Sequence, residues 1–345
     1  MQMKEAIGAV LKHRHLDFAE MHEVMHIIMT GEASEAQIGG FLIALAMKGE
    51  SADEITAAAQ VMRELMLKVE VSGEHVVDIV GTGGDGANLF NVSTAASFVV
   101  AAAGGCVAKH GNRGVSSSAG SADLLEAAGI KLDIKPEQVG RCIDQIGVGF
   151  MFAPVHHKAM RYAVGPRREL GVRTIFNVLG PLTNPASAPH QLLGVYDKTL
   201  LPVMVNALKR LGSRHALVVN SEEGLDEISL ASPTHVTELK HGEIRNYVIT
   251  PEELGIARQP LNELKVATTA ESLRLVTSAL KGEAGPAMDM VALNAGAALY
   301  AADVADSLQA GVALAQKAMR SQRAFDKMNE LATFTRTLIE KTAHE

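Results

Sequence analysis

The chain has 345 residues, with 32 Lys and Arg against 39 Asp and Glu for a formal charge of -7; 47% of its residues are apolar and 21% charged. These values exclude a mainly disordered or collagen-like chain and argue against broad nucleic-acid binding, which needs a net basic face. The length supports one large domain or two unequal ones with ample chain for a real core.

The N-terminus, MQMKEAIGAVLKHRHLDF, has no apolar run followed by a small-residue cleavage site, so no signal peptide is expected. The first 70 residues read as helices. Ser34 with Gln37, and Ser51 with Glu54, have capping-box spacing ahead of the periodic runs IGGFLIALAMKG and EITAAAQVMRELM. His13, His15, His22 and His26 also fall here, the last two at a spacing that can bind zinc. Without zincin spacing or an evident third ligand, solvated or interface histidines are expected. HVVDIV (75–80) is a β-branched run ending in a glycine cluster, a buried strand entering a loop. STAASFVVAAAGG then reads as a helix, CVAKHG as a second strand, SADLLEAAG as a second helix and HALVVN (215–220) as another buried strand; Ala-rich helices follow from Met288. Strand, glycine loop, helix, strand, loop, helix is the signature of a parallel sheet. The expected fold class is therefore α/β: a small N-terminal helical domain (1–70) and a large α/β domain (71–345) with a central, mainly parallel sheet. The apolar stretch 94–108 is too short to span a bilayer, and Cys106 and Cys142 make no disulfide framework, so a soluble protein of a reducing compartment is expected.

Four segments carry chemistry. GTGGDGANLFNVST (81–94) offers backbone amides, a helix N-terminus and the side chains of Asn91, Ser93 and Thr94 to an oxyanion. Gly81, Gly83 and Gly86 match the dinucleotide pattern, but residues 86–122 contain no acidic residue for ribose hydroxyls, which weakens an NAD reading. KHGNRGVSSSAGSAD (109–123) sets Lys109, His110, Asn112, Arg113, Ser116, Ser117, Ser118 and Ser121 after a strand. Cations and hydroxyls with no carboxylate among them should suit a multiply phosphorylated ligand; a solvated Ser-rich loop is the plainer alternative. The segment 150–185 holds His156, His157, Lys158, Arg161, Arg167, Arg168 and Arg173 against Glu169 alone, and could grip a planar carboxylate or be an exposed basic helix. SEEGLDEIS (221–229) follows a strand and pairs Asp226 with Glu227, oxygen ligands for phosphate-bound Mg²⁺.

Taken together, GTGGDGANLFNVST, KHGNRGVSSSAGSADLLEAAG, APVHHKAMRYAVGPRRELGVRTIFNVLGPLTNP and GLDEIS resemble the anthranilate phosphoribosyltransferases, which catalyse the second step of tryptophan biosynthesis, in order and over nearly the whole chain. The resemblance implies a nucleoside phosphorylase/phosphoribosyltransferase-like fold, a cytoplasmic homodimer, and a helical domain that takes in part of 150–190. It implies that Gly81, Gly84, Asp85, Asn91, Val92, Ser93, Thr94, Lys109, His110, Gly111, Asn112, Arg113, Gly114, Val115, Ser116, Ser117 and Ser121 hold phosphoribosyl pyrophosphate. Gly81, Asn112 and Arg167 would contact anthranilate, with His110, His157 and Pro181 lining its route. Ser93, Asp226 and Glu227 would hold Mg²⁺. Leu89 departs from the pattern, since many members carry Ser or Thr there; any contact at that position should be backbone or absent.

Anthranilate is a poor base whose amine is neutral at pH 7, so the resemblance calls for no strong proton-abstracting residue; His110 is the one nearby candidate. Rival readings are a pyrimidine nucleoside phosphorylase, which would use inorganic phosphate without the Asp226–Glu227 pair, and a non-catalytic relative that binds nucleic acid on a basic surface.

Overall fold

The computed structural model describes residues 1–114 and 119–342. The chain opens with four helices, α1 (Met3–Leu11), α2 (Phe18–Thr30), α3 (Glu35–Lys48) and α4 (Ala52–Leu65). Both expected capping boxes form. Ser34 Oγ accepts from the Gln37 amide at 3.3 Å and Gln37 Oε1 from the Ser34 amide at 3.0 Å. At α4 the fully buried Glu54 carboxylate accepts from the Ser51 amide at 2.8 Å and from Lys48 Nζ at 2.8 Å. Met21, Val24, Met25 and Ile28 of α2 bury against Ile55, Ala58, Ala59 and Met62 of α4.

After this bundle come β1 (Val76–Gly81), α5 (Val92–Ala102), β2 (Cys106–Gly111), α6 (Ser121–Ala127), α7 (Pro136–Ile146), β3 (Val148–Phe152), α8 (Ala153–His156), α9 (Arg161–Leu170) and α10 (Phe176–Leu179). The chain continues through β4 (His190–Gly194), α11 (Leu201–Arg210), β5 (His215–Ser221), β6 (Thr234–Lys240), β7 (Glu243–Ile249), α12 (Thr269–Leu280), α13 (Pro286–Ala301), α14 (Leu308–Arg320) and α15 (Arg323–Thr342). The strands form one seven-stranded sheet in the order β3-β2-β1-β4-β5-β6-β7. β1 to β5 run parallel, and β6 and β7 add an antiparallel edge. The β6–β7 hairpin turns at His241 and Gly242, both at positive φ (51° and 78°), so a His stands where the common hairpin signal has Asn or Asp, and no turn was anticipated there.

Alternation along the strands divides the interior in two. Leu217 and Val219 of β5 face the core built with α5 and α13, while Ala216 and Val218 face α11 and the helical bundle. The bundle is joined to that face by α11, which packs on α4, and by Arg63, which donates to the carbonyls of Leu182 (2.6 Å) and Leu211 (3.1 Å). Burial lowers the Arg63 pKa to about 10. From the basic segment, α9 lies against α2 and α3 and α10 against α4. On the other side, α13 and α14 pack at Gly296 and Gly311, where a Cβ on either would collide with the opposite backbone. No helix among the described residues is long and apolar enough to cross a membrane.

Candidate active site

The carboxyl ends of the parallel strands bring together segments far apart in sequence. Gly81 ends β1 beside Gly194 of β4, and a Cβ on Gly81 would strike the Asp226 carboxylate, one on Gly194 the Asp226 backbone carbonyl. Two missing side chains thus admit the 221–229 loop to the base of the first glycine loop. Gly83, Gly84 and Gly86 turn that loop at φ of 68°, 80° and 73°, in the left-handed region. Asp226 Oδ2 accepts from the Gly83 amide at 2.6 Å. From the basic segment, Arg173 donates to the Gly84 carbonyl and stacks 3.9 Å over the Tyr196 ring. Arg173 has no assigned role in the sequence reading beyond its positive charge.

Lys109 is buried beneath the loops rather than presented to them; its Nζ donates to the Ile79 carbonyl at 2.5 Å and to Ser93 Oγ at 3.2 Å. Burial lowers its pKa, against the pull of Asp78, Glu227 and Asp226. Burial raises the carboxyl of Asp226, and the neighbouring Asp85 raises it further. Burial and Asp226 together push Glu227 well above the ordinary range. A desolvated acidic pair beside the Ser93 hydroxyl fits a hard divalent cation, whose charge would favour both ionised forms. Asp78, beneath, accepts from the His110 amide at 3.2 Å, and burial pushes it up to about 6.

At the start of α5 the two ends of the Asn91 side chain are taken: Nδ2 donates to the Ala119 carbonyl at 3.1 Å and Oδ1 accepts from Ser272 Oγ at 2.7 Å. Asn91 therefore ties the two loops together instead of offering a free amide. Val92 is buried with its amide donating to the Phe90 carbonyl at 2.7 Å, and the Thr94 hydroxyl is buried without a hydrogen-bond partner among the described residues. Beside Leu89, the Phe90 amide reaches the Leu264 carbonyl (3.0 Å) and the Val266 amide the Asn88 carbonyl (2.9 Å). A cleft of about 530 Å³ borders this side and is lined by Gly86, Asn88, Lys265, Glu271 and Arg274, but it includes none of Lys109, Asp226 or Glu227.

The second loop corrects the expectation of a carboxylate-free basic turn. Arg113 pairs with Asp123 (3.1 Å) and Glu126 (2.5 Å), and Asp123 Oδ2 accepts from the Gly114 and Gly120 amides, each at 2.9 Å. The cause is α6, which folds its first turn back onto the loop. Ser121 Oγ donates to the Asn112 carbonyl at 3.2 Å, and Gly111 has no room for a Cβ between Ser121 and Phe150. Val115, Ser116 and Ser117 lie outside the described residues.

Facing these loops, His110 Nδ1 is 3.3 Å from the Gly180 carbonyl, next to Pro181, and its ring lies 5.0 Å from that of His157. The Nε2 atoms of both histidines are buried without partners among the described residues. Burial drives His110 well below its ordinary pKa and His157 to about 4, so both rings are neutral at pH 7. Arg167, in the last turn of α9, stacks 5.2 Å over Phe176; burial lowers its pKa, and no carboxylate opposes that shift. The N-terminal histidines form no cluster with them: His22 Nε2 lies 3.0 Å from Glu64, and His15 lies against Lys48 and Glu54.

The chain matches the glycosyl transferase family helical bundle domain over residues 4–66 and the glycosyl transferase family a/b domain over 73–325. The anthranilate phosphoribosyltransferase of Chromohalobacter salexigens is 70% identical over 341 residues, 99% of each chain. The crystal structure of anthranilate phosphoribosyltransferase from Thermus thermophilus superposes with a TM-score of 0.91 at 47% identity, covering 96% of this chain and 99% of that one. The enzyme from Saccharomyces cerevisiae, in complex with PRPP and Mg, gives a TM-score of 0.89 at 25% identity over 97% and 98% of the two chains. With the two-domain match, the glycine-built rim and a relative this similar over its full length, the chain belongs to the anthranilate phosphoribosyltransferase family.

Proposed function

We propose that this enzyme transfers the phosphoribosyl group of phosphoribosyl pyrophosphate to anthranilate from a site in which the two loops grip the phosphates and the basic segment grips the acceptor. The observation that carries the reading is the meeting at one rim of the glycine loop, the buried Asp226–Glu227 pair and the neutral rings of His110 and His157, whose Nε2 atoms have no partner among the described residues. The anthranilate nitrogen bonds to C1 of the ribose while the C1–oxygen bond to pyrophosphate breaks and its electron pair leaves with pyrophosphate. Ser93, Asp226 and Glu227 would hold Mg²⁺, which when bound neutralises charge on the leaving group.

The chain's own residues do the rest. Amides of Gly81, Gly84 and Asp85, and of Ser93 and Thr94 at the start of α5, supply preorganised donors, Asn91 and Val92 shape that turn with amides already bonded to Ser272 Oγ and the Phe90 carbonyl, and the buried Lys109 adds positive charge from below. A phosphate at the second loop competes with Asp123 for the Gly114 and Gly120 amides and with Glu126 for Arg113, near Gly111, Asn112 and Ser121. Val115, Ser116 and Ser117 join this grip by resemblance. Arg167 orients the anthranilate carboxylate against Gly81 and Asn112, with Pro181 and the two histidine rings along its route. With its Nδ1 proton turned to the Gly180 carbonyl, His110 keeps a lone pair at Nε2, but burial makes it a weak base. The proton shed by the amine needs no stronger acceptor.

The proposal includes a cytoplasmic homodimer. It is supported by two free cysteines, Cys106 and Cys142, and by apolar side chains left exposed on the helical region, Leu11, Phe18, Met47 and Val164. Anthranilate fluorescence should fall only when enzyme, phosphoribosyl pyrophosphate and Mg²⁺ are all present. No loss of signal, or a loss independent of the ribose donor, would overturn the assignment.

A further inference from the structure

The opposite rim of the sheet carries a second cluster. His190 and His215 begin β4 and β5 as paired neighbours, and Asp303 follows α13. One ligand atom from each lies within 4.8 Å of the others. His215 Nδ1 is 2.9 Å from Asp303 Oδ1, and His190 Nδ1 is 3.9 Å from Asp303 Oδ2. A tetrahedral Zn²⁺ with bonds of about 2.1 Å spaces its ligand atoms by about 3.4 Å, between these two values.

The protons decide what the cluster wants. Glu238 Oε1 lies 3.0 Å from His215 Nε2 and accepts from the Tyr300 hydroxyl at 2.8 Å. Because that same Oε1 accepts from Tyr300, it serves as an acceptor, and the His215 nitrogen facing it, Nε2, carries the proton. The Nδ1 lone pair of His215 then faces a carboxylate oxygen, an arrangement that needs a positive species between them. A second proton on His215 would serve there. It would leave His190 unexplained: that ring is 7% exposed, turns its other nitrogen to the Ala301 carbonyl, and has Nδ1 buried without a hydrogen-bond partner among the described residues. One metal ion satisfies all three groups at once. Lys240 Nζ, 3.7 Å from Asp303 and 4.3 Å over the Tyr300 ring, is the cation nearest Asp303 among the described residues, with Arg214 facing His190 and Arg245 facing Tyr300, and its flexible stem lets it withdraw to solvent.

We propose that His190, His215 and Asp303 form a site for a divalent transition metal of the Zn²⁺ class, with water as fourth ligand and with Glu238 and the Ala301 carbonyl orienting the two rings. Two imidazoles and one carboxylate suit Zn²⁺ or Co²⁺ better than Mg²⁺. Asp303, 45% exposed, gives the ion its way in. Bound there, the ion clamps the end of α13 to the sheet, far from the loops of the active rim.

The test uses full-length enzyme, stripped by a chelator and then saturated with Mg²⁺ to fill the Asp226–Glu227 pair. Titration with Co²⁺ should give one equivalent of visible four-coordinate absorption, chased by Zn²⁺, with a rise in melting temperature. His190→Ala and Asp303→Asn should abolish the band and keep Mg²⁺-dependent turnover, and Glu238→Gln should weaken Zn²⁺ binding by about 10–100-fold. Asn tolerates the left-handed backbone of Asp303 (φ 56°), so that variant keeps the test alive if His190→Ala fails to fold. No band in the wild type, or a band that survives in either ligand variant, overturns the proposal.

Discussion

Against the loop after β1 lies a carboxyl from the loop after β5 that burial holds high, and against the loop after β2 lies one from α6 that is held low. Asp226 is raised by burial and by Asp85, against hydrogen bonds from the Gly83 amide and its own backbone amide. Burial also pushes Asp123 up, but the Gly114 and Gly120 amides and Arg113 outweigh it and hold it below its ordinary value. The first loop is a cradle shaped by glycine backbone around two acidic groups that Lys109 offsets only in part from below. The second is closed on itself, its cation and amides already satisfied by α6. One awaits a cation; the other must exchange an internal carboxylate for a phosphate.

This contrast sets the order of expected effects. Removing the acidic pair should matter most: Asp226→Asn with Glu227→Gln should lower kcat/KM by about 10²–10³-fold at fixed Mg²⁺ and raise the Mg²⁺ needed for half-activity. An unchanged Mg²⁺ titration would remove the pair from the site. Next comes the wall facing the loops. Arg167→Ala should cost about 1.5–3 kcal/mol, or roughly 10–150-fold, mainly in the KM for anthranilate. Unchanged steady-state kinetics would free Arg167 of that role.

The closed loop predicts smaller changes, and in stability first. Because the folded pKa of Asp123 is depressed, its contribution is present above the unfolded carboxyl value near pH 4 and fades as pH falls through the folded value. Asp123→Asn should therefore be less stable than wild type by about 1 kcal/mol at pH 7 and converge with it in melts near pH 3. A gap that persists at low pH would mean that the Asp123 charge is not what closes the loop. The smallest effect belongs to an exposed pair. Glu126→Gln removes a competitor for Arg113 and should lower the KM for phosphoribosyl pyrophosphate by no more than about fivefold. A rise instead would mean that Glu126 positions Arg113 rather than competing for it.

Much of the architecture was readable one segment at a time. The boxes at Ser34 and Ser51 involve partners three residues away, β1 and β5 announce themselves as short apolar runs with several Val or Ile, and β2 follows the Gly104–Gly105 helix stop. β4 has only five residues and the β6–β7 turn uses His241, so neither carried a clear local signal. The loops were legible as phosphate-type chemistry, but their partners were not. Asp123 and Glu126 sit 10 and 13 residues beyond Arg113, and no pattern says that α6 will fold back onto it. The Arg173 contact to Gly84 spans 89 residues and the Asp226 contact to Gly83 spans 143.

Residue order was enough to settle where the capped helices α3 and α4 begin, that β1, β2 and β5 are strands, and which loops carry glycine, hydroxyl and charge, because those properties depend on neighbours within a turn or a pleat. It could not settle whether a given charge is free or already matched. Lys109 reads as a phosphate ligand and is buried under the loop; Arg113 reads as free and is held twice; His190, which no local pattern marks, has Nδ1 buried without a hydrogen-bond partner among the described residues. Ionisation and pairing follow from burial and from the closest opposite charge, and both are set only when distant segments pack onto the two rims of the sheet.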